Sequence, residues 1–138
     1  MITIKQISDV IITGLVRPNN LTVNDIKFIQ MFDESTIIRK IADLLNRVLD
    51  GSTSNKFKIP VIIKGIFNVV QPLISKFNIQ DVNISNIILF LLTVLIDSNL
   101  IPILDSNEKV ILIEIIDASL YLLNREMPVI KSKCGCLG

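Results

Sequence analysis

The segment IILFLLTVLI, residues 87–96, has one polar side chain, Thr93, in ten positions. A stretch with so little polar surface has to be surrounded. As a helix it would lie at the centre of a bundle or in a membrane. Length weighs against a membrane span, which needs about 20 mostly apolar residues. Extending the run to Leu104 brings Asp97, Ser98 and Asn99 to the middle of the span, where a charge is costly. The expected structure is therefore all-α, a compact bundle of five or six helices with 84–97 as its very apolar central helix. A holin-like multi-helix membrane protein and an interfacial helix are the alternatives.

The rest of the chain supports a bundle. In 35–50, Ile37, Ile38, Ile41, Leu44, Leu45, Val48 and Leu49 fall on one helical face, and Arg39, Asp43 and Arg47 fall on the other at i, i+4 spacing. Ser35 is placed to cap this helix and Gly51 to end it. Thr22 to Asp25 has the form of a capping box, opening a helix through Phe32. Ile4, Ile7, Ile11 and Leu15 make one stripe in 3–15. Segment 59–77 begins with Pro60, which a first turn tolerates, and contains Pro72, which predicts a kink or an end. Asp105 and Glu108 precede a last helix near 106–124. Its apolar positions, from Val110 to Leu123, cover much of the circumference. The runs IPVII and VILIEII have strand-like β-branched content, but they sit inside helix-length segments with caps. Breaks are expected at 17–20, 50–55 and around Pro102. No repeat or long linker occurs, so residues 1–128 read as one helical domain and 129–138 as a tail.

Half of the 138 residues are hydrophobic, which excludes a disordered chain. The 27 isoleucines and 12 asparagines, together with lysine, are residues of AT-rich codons. In composition, though in no motif, the chain resembles small structural proteins of large AT-rich DNA viruses. The start, MITIKQISDV, carries Lys5 and Asp9 where a signal peptide needs an unbroken apolar core, and Ile2 rules out N-myristoylation. The expected location is intracellular, cytoplasmic or in a virion. The sequons at Asn20 and Asn83 then carry little meaning.

Most catalytic chemistries need residues this chain lacks. It has no histidine, so neither Ser-His-Asp nor Cys-His arrangements nor the two-histidine zinc hydrolase signature can be built. No Gly-rich nucleotide motif occurs. Ser106 and Lys109 have S-x-x-K spacing, but they lie at an expected helix start without the companion elements of serine acyl enzymes. Glu114 and Asp117 read as a polar helix stripe. No enzyme activity, cofactor, metal or small-molecule substrate is expected.

The net charge of +1 gives no general pull toward polyanions, although its distribution is uneven. Residues 1–50 balance. Residues 51–80 hold Lys56, Lys58, Lys64 and Lys76 without an acid, and 81–117 hold six acids against Lys109 alone. Such a dipolar surface suits head-to-tail packing. Nucleic acid is an unlikely partner on this reading, because the lysines lack aromatics for base stacking and Phe57 and Phe67 fit apolar faces. Two helices that are apolar nearly all round, 84–97 and 106–124, hold more apolar surface than one core readily hides. The expected function is that of a non-enzymatic structural and interaction protein. It would be a small helical component of a larger assembly, such as a minor capsid or capsid-cementing protein. Its partners would be copies of itself or neighbouring subunits. Besides the membrane alternative, the chain could be an adaptor that binds partner helices in a groove.

The tail, VIKSKCGCLG, holds the only cysteines, Cys134 and Cys136. Two thiols without histidine cannot close a zinc site within one chain. Neither cysteine stands four from the end, so a C-a-a-X box does not fit. Open readings are no specific chemistry, an intermolecular disulfide or two-chain metal site, and S-acylation beside Lys131 and Lys133. In each specific case these four residues would tie the tail to something outside the chain.

Overall fold

The computed structural model describes residues 1–49, 58–102, 114, 116 and 118–121. Among these residues the protein is all-α, with no strand. Five α-helices run in order: α1 (Ile4–Leu15), α2 (Val23–Gln30), α3 (Arg39–Val48), α4 (Ile59–Phe77) and α5 (Ile84–Asp97). A π-helical turn, Glu34–Ile38, leads directly into α3. The described residues between 114 and 121 are also helical, with Ile116 and Leu120 buried and Glu114, Ala118 and Tyr121 exposed. The rest of the expected helix 106–124 lies outside the described residues.

Packing closes a ring. Helix α3 packs on α4, α4 on α5, α5 on α1, and α1 on α3 and the π turn; α2 leans on α5. Buried side chains from all five helices, including Ile7, Phe28, Ile41, Ile66 and Leu91, form one core together with Ile101 after α5. Two glycines set helix distances. A Cβ at Gly65 would lie 2.6 Å from both methyl carbons of the buried Leu44, and one at Gly14 would fall into Val94 and 3.0 Å from the Phe90 ring. Side chains at these positions would force α4 off α3 and α1 off α5.

Local sequence explains the helix starts. Thr3 and Gln6 form a capping box on α1, and Thr22 and Asp25 form the expected one on α2. Pro60 stands in the first turn of α4 as expected. The Asn46 side-chain amide accepts from the Ile2 N–H and donates to the Ile2 carbonyl, both at 2.8 Å, which pins the segment before α1 to α3. Left-handed residues end the turns where asparagine and aspartate tolerate positive φ: Asn78, Asp81 and Asn99.

Three expectations need correction. The cap before α3 is Asp33, not Ser35. The Asp33 carboxylate accepts from the Ser35 N–H and hydroxyl at 2.9 Å and from the Thr36 hydroxyl at 3.3 Å. The Asp33 carbonyl takes N–H groups from both Ile37 and Ile38, and the extra residue of this π turn allows both isoleucines to be buried. Pro72 does not end α4, which continues to Phe77. Pro72 and Asn68, whose carbonyl loses its partner, are both exposed, so water can satisfy the freed oxygen. Helix α5 is central but keeps a wet edge of Leu89 and Thr93. The Thr93 hydroxyl donates to the Leu89 carbonyl at 2.7 Å. Gly51, the expected helix stop, lies outside the described residues.

The Asp33 cap gives stability a pH dependence. The Ser35 backbone N–H first, then the Ser35 hydroxyl, the Thr36 hydroxyl and the charge of Lys76 hold this carboxyl below its ordinary value. A depressed folded-state pKa means the contribution is present above the ordinary carboxylate range and is lost as pH falls through the folded value. Asp33→Ala should therefore lower stability at neutral pH and shrink the loss seen on acidification. Denaturant midpoints at several pH values measure this, and parallel profiles for the two proteins would show that the cap carries no such term.

Among the described residues, helix α4, not α5, is the one long and apolar enough to cross a membrane. Its residues are sorted by side, however. Ile59, Ile62, Ile63, Ile66, Val70 and Leu73 face the core, while Lys64, Asn68, Gln71 and Ser75 are exposed on the opposite stripe. That is the pattern of a helix on the outside of a core.

Candidate functional site

Among the described residues, a groove of about 460 Å³ lies between α1 and α5, closed at one end by the loop 17–21. Gly14 builds it. Without a side chain there, Phe90 and Val94 come up against α1, and the depression forms beside that contact. The floor is apolar, from Val10, Leu21, Phe90 and Val94, with Leu89 partly exposed beside it. The loop is fixed by its own hydrogen bonds. The Arg17 N–H donates to the Gly14 carbonyl at 3.2 Å. The Asn19 amide donates to the Arg17 carbonyl at 2.9 Å, and its oxygen accepts from the Leu21 N–H at 3.0 Å. This Asx turn presents Arg17 and Asn20 at the mouth.

Asp9 from α1 and Asp97 from the end of α5 complete the charged rim with Arg17. All three are exposed, and none forms an ion pair among the described residues. The site thus offers two carboxylates and one guanidinium around an apolar floor, with hydroxyls and amides between them. No group of three metal-ligating side chains occurs among the described residues. On the outer side of α1, one turn apart, Ile12 and Val16 are 59% and 80% exposed.

A second polar centre is structural. Asp25 is the one buried charged residue among the described residues. Its carboxylate accepts from the Thr22 N–H at 3.2 Å within the α2 cap, and from the Asn83 N–H at 2.9 Å. Asn83 in turn caps α5, its side chain accepting from the Asn86 N–H at 3.1 Å. One carboxylate therefore sits where the N-termini of α2 and α5 converge, and both helix dipoles favour a negative charge there.

The sequence-predicted tail residues Lys131, Lys133, Cys134 and Cys136 lie outside the described residues, as do Ser106, Lys109 and Asp117; Glu114 is an exposed helical residue. The groove was not foreseen from sequence. Arg17 read as part of a chain break, Asp9 as a charge that interrupts a signal-peptide core, and Asp97 as a charge that weighs against a membrane span. The available signal was Gly14, a glycine inside a helical pattern, which marks a close backbone approach. The chain matches no family model, no curated protein and no solved structure.

Proposed function

We propose that this chain is a non-enzymatic interaction protein, a small helical component of a larger assembly that acts by packing against protein partners. The observation that carries the reading is the α1–α5 side of the bundle. It combines an open groove with an apolar floor, a rim of unpaired opposite charges and, on the outer side of α1 beyond the groove lining, the exposed Ile12 and the exposed C-cap residue Val16. An apolar centre with a polar, charged rim is the layout of a protein contact surface, where the rim sets orientation and the centre supplies desolvation. The partner is a protein segment with apolar side chains for the floor and charges complementary to Asp9, Arg17 and Asp97. The resemblance in composition points to a virion as the assembly, with the chain in a minor capsid or cementing role.

Ile12→Glu with Val16→Glu places two charges on this face without touching the core. Leu89→Arg does the same at the groove edge. Both variants should keep helical content and thermal stability while losing co-purification with the assembly. Retention of both variants in the assembly at wild-type stoichiometry would show that this face is not the contact.

A further inference from the structure

Folding sorts the charges differently from the sequence. Residues 1–50 balance as a segment, yet on α3 the exposed side chains are Arg39, Lys40, Asp43 and Arg47, with one acid among them. On α4 the exposed side carries Lys64 and Lys76, and Ile59–Phe77 contains no acid at all. The two helices are direct neighbours, with Leu44 seated on Gly65. They run antiparallel, because the charge of Lys76 at the end of α4 acts on Asp33 just before α3. Their outer surface therefore gathers five cations around Asp43, with the exposed Asp33 carboxylate at its Lys76 end. The i, i+4 spacing of Arg39, Asp43 and Arg47 would allow ion pairs, but none forms, and none of the five cations is paired among the described residues. Lys64 and Lys76 are twelve residues apart, about 18 Å along the helix axis.

From this face we propose that the protein binds the phosphate backbone of double-stranded nucleic acid without reading its sequence. Backbone binding requires only lysine and arginine spread over a surface of this length, since duplex DNA offers a charge about every 1.7 Å of axis. Aromatic side chains are needed to stack on single strands, and α3 and α4 expose none. A membrane surface would call for apolar side chains inserted among the cations, and the face has Val61 alone. The order of packing around the bundle puts this face on α3 and α4 and the groove on α1 and α5. Nucleic acid and a protein partner could thus be held at once, and neither reading depends on the other.

The test is fluorescence anisotropy of the full chain with a 30-base-pair duplex of random sequence, titrated at several salt concentrations. Binding should weaken with salt at a log–log slope of about −3 to −4, as expected for roughly four neutralised phosphates. Reversing Lys40, Arg47, Lys64 and Lys76 to Glu should lower affinity by about a hundredfold or more. Reversing Lys5 and Lys27, exposed on α1 and α2, should change it little. Circular dichroism checks folding, and the same four positions changed to Gln provide a milder variant if the reversal does not fold. No binding at low salt, equal losses in the two sets of variants, or binding to vesicles with anionic lipid in preference to the duplex would overturn the proposal.

Discussion

Replacing Asp25 with Ala is expected to cost about 3 kcal/mol of stability, one of the two largest effects of any single substitution considered for this protein. The carboxylate is fully buried and accepts the Thr22 and Asn83 N–H groups, so its removal leaves two backbone donors without a partner at the junction of α2 and α5. Hydrogen bonds to a charged acceptor are worth more than neutral ones, and these two are part-buried, so water replaces the lost acceptor only in part. Asp25→Asn should fall between the two, because the amide keeps one acceptor but turns an NH₂ group toward an N–H. Chemical denaturation gives both values, and a thermal shift on the order of 10 °C should accompany the alanine change. A loss below about 1 kcal/mol for Asp25→Ala would mean that the carboxylate does not join the two helix starts.

Phe28→Ala should be as damaging or more, at about 4 kcal/mol. Phe28 is completely buried, with Phe32 at 5.5 Å and Phe77 at 5.6 Å between ring centroids, both edge-on. The trio fastens α2 and the residues after it to the end of α4. Alanine there removes a whole ring and leaves a cavity whose walls are held by helices on several sides. Phe28→Leu should recover more than half of the loss, since it keeps most of the volume and gives up only the ring contacts. Equal losses for Leu and Ala would show that the aromatic geometry, not filled volume, carries the effect. Asp25 and Phe28 stand one turn apart on α2, so large losses at both would identify this eight-residue helix as the element that ties α4 to α5.

What could be read from sequence was local. The 3.6-residue spacing in 35–50 and 59–77, the Thr22–Asp25 box and Pro60 in a first turn each depend on residues within one or two helical turns. All appear in the structure, the first of them over Arg39–Val48, after the π turn. What could not be read depends on which side of an element meets which neighbour. Pro72 stands inside α4 without ending it, on the solvent stripe, and its sequence neighbourhood alone does not fix that. Asp33 displaces Ser35 as the cap because the chain enters α3 through a π turn. Asp25 and Asn83 are 58 residues apart, and no pattern links them before α2 is laid against α5. The candidate site follows the same rule. Gly14 is visible as an anomaly in a helix, but only the pairing of α1 with α5 makes it the base of a groove. Likewise, the cations of α3 and α4 become one surface only when Leu44 meets Gly65. The tail cysteines are a local feature too, but any role they have depends on something outside the chain.

The native mass of the full chain in its own biological context tests most directly whether this protein works by packing against others. The prediction is a mass well above the 15.5 kDa of one chain, at fixed stoichiometry, falling away from the assembly when Ile12 and Val16 are both changed to Glu. A free monomer of 15.5 kDa with no associated partner would contradict it.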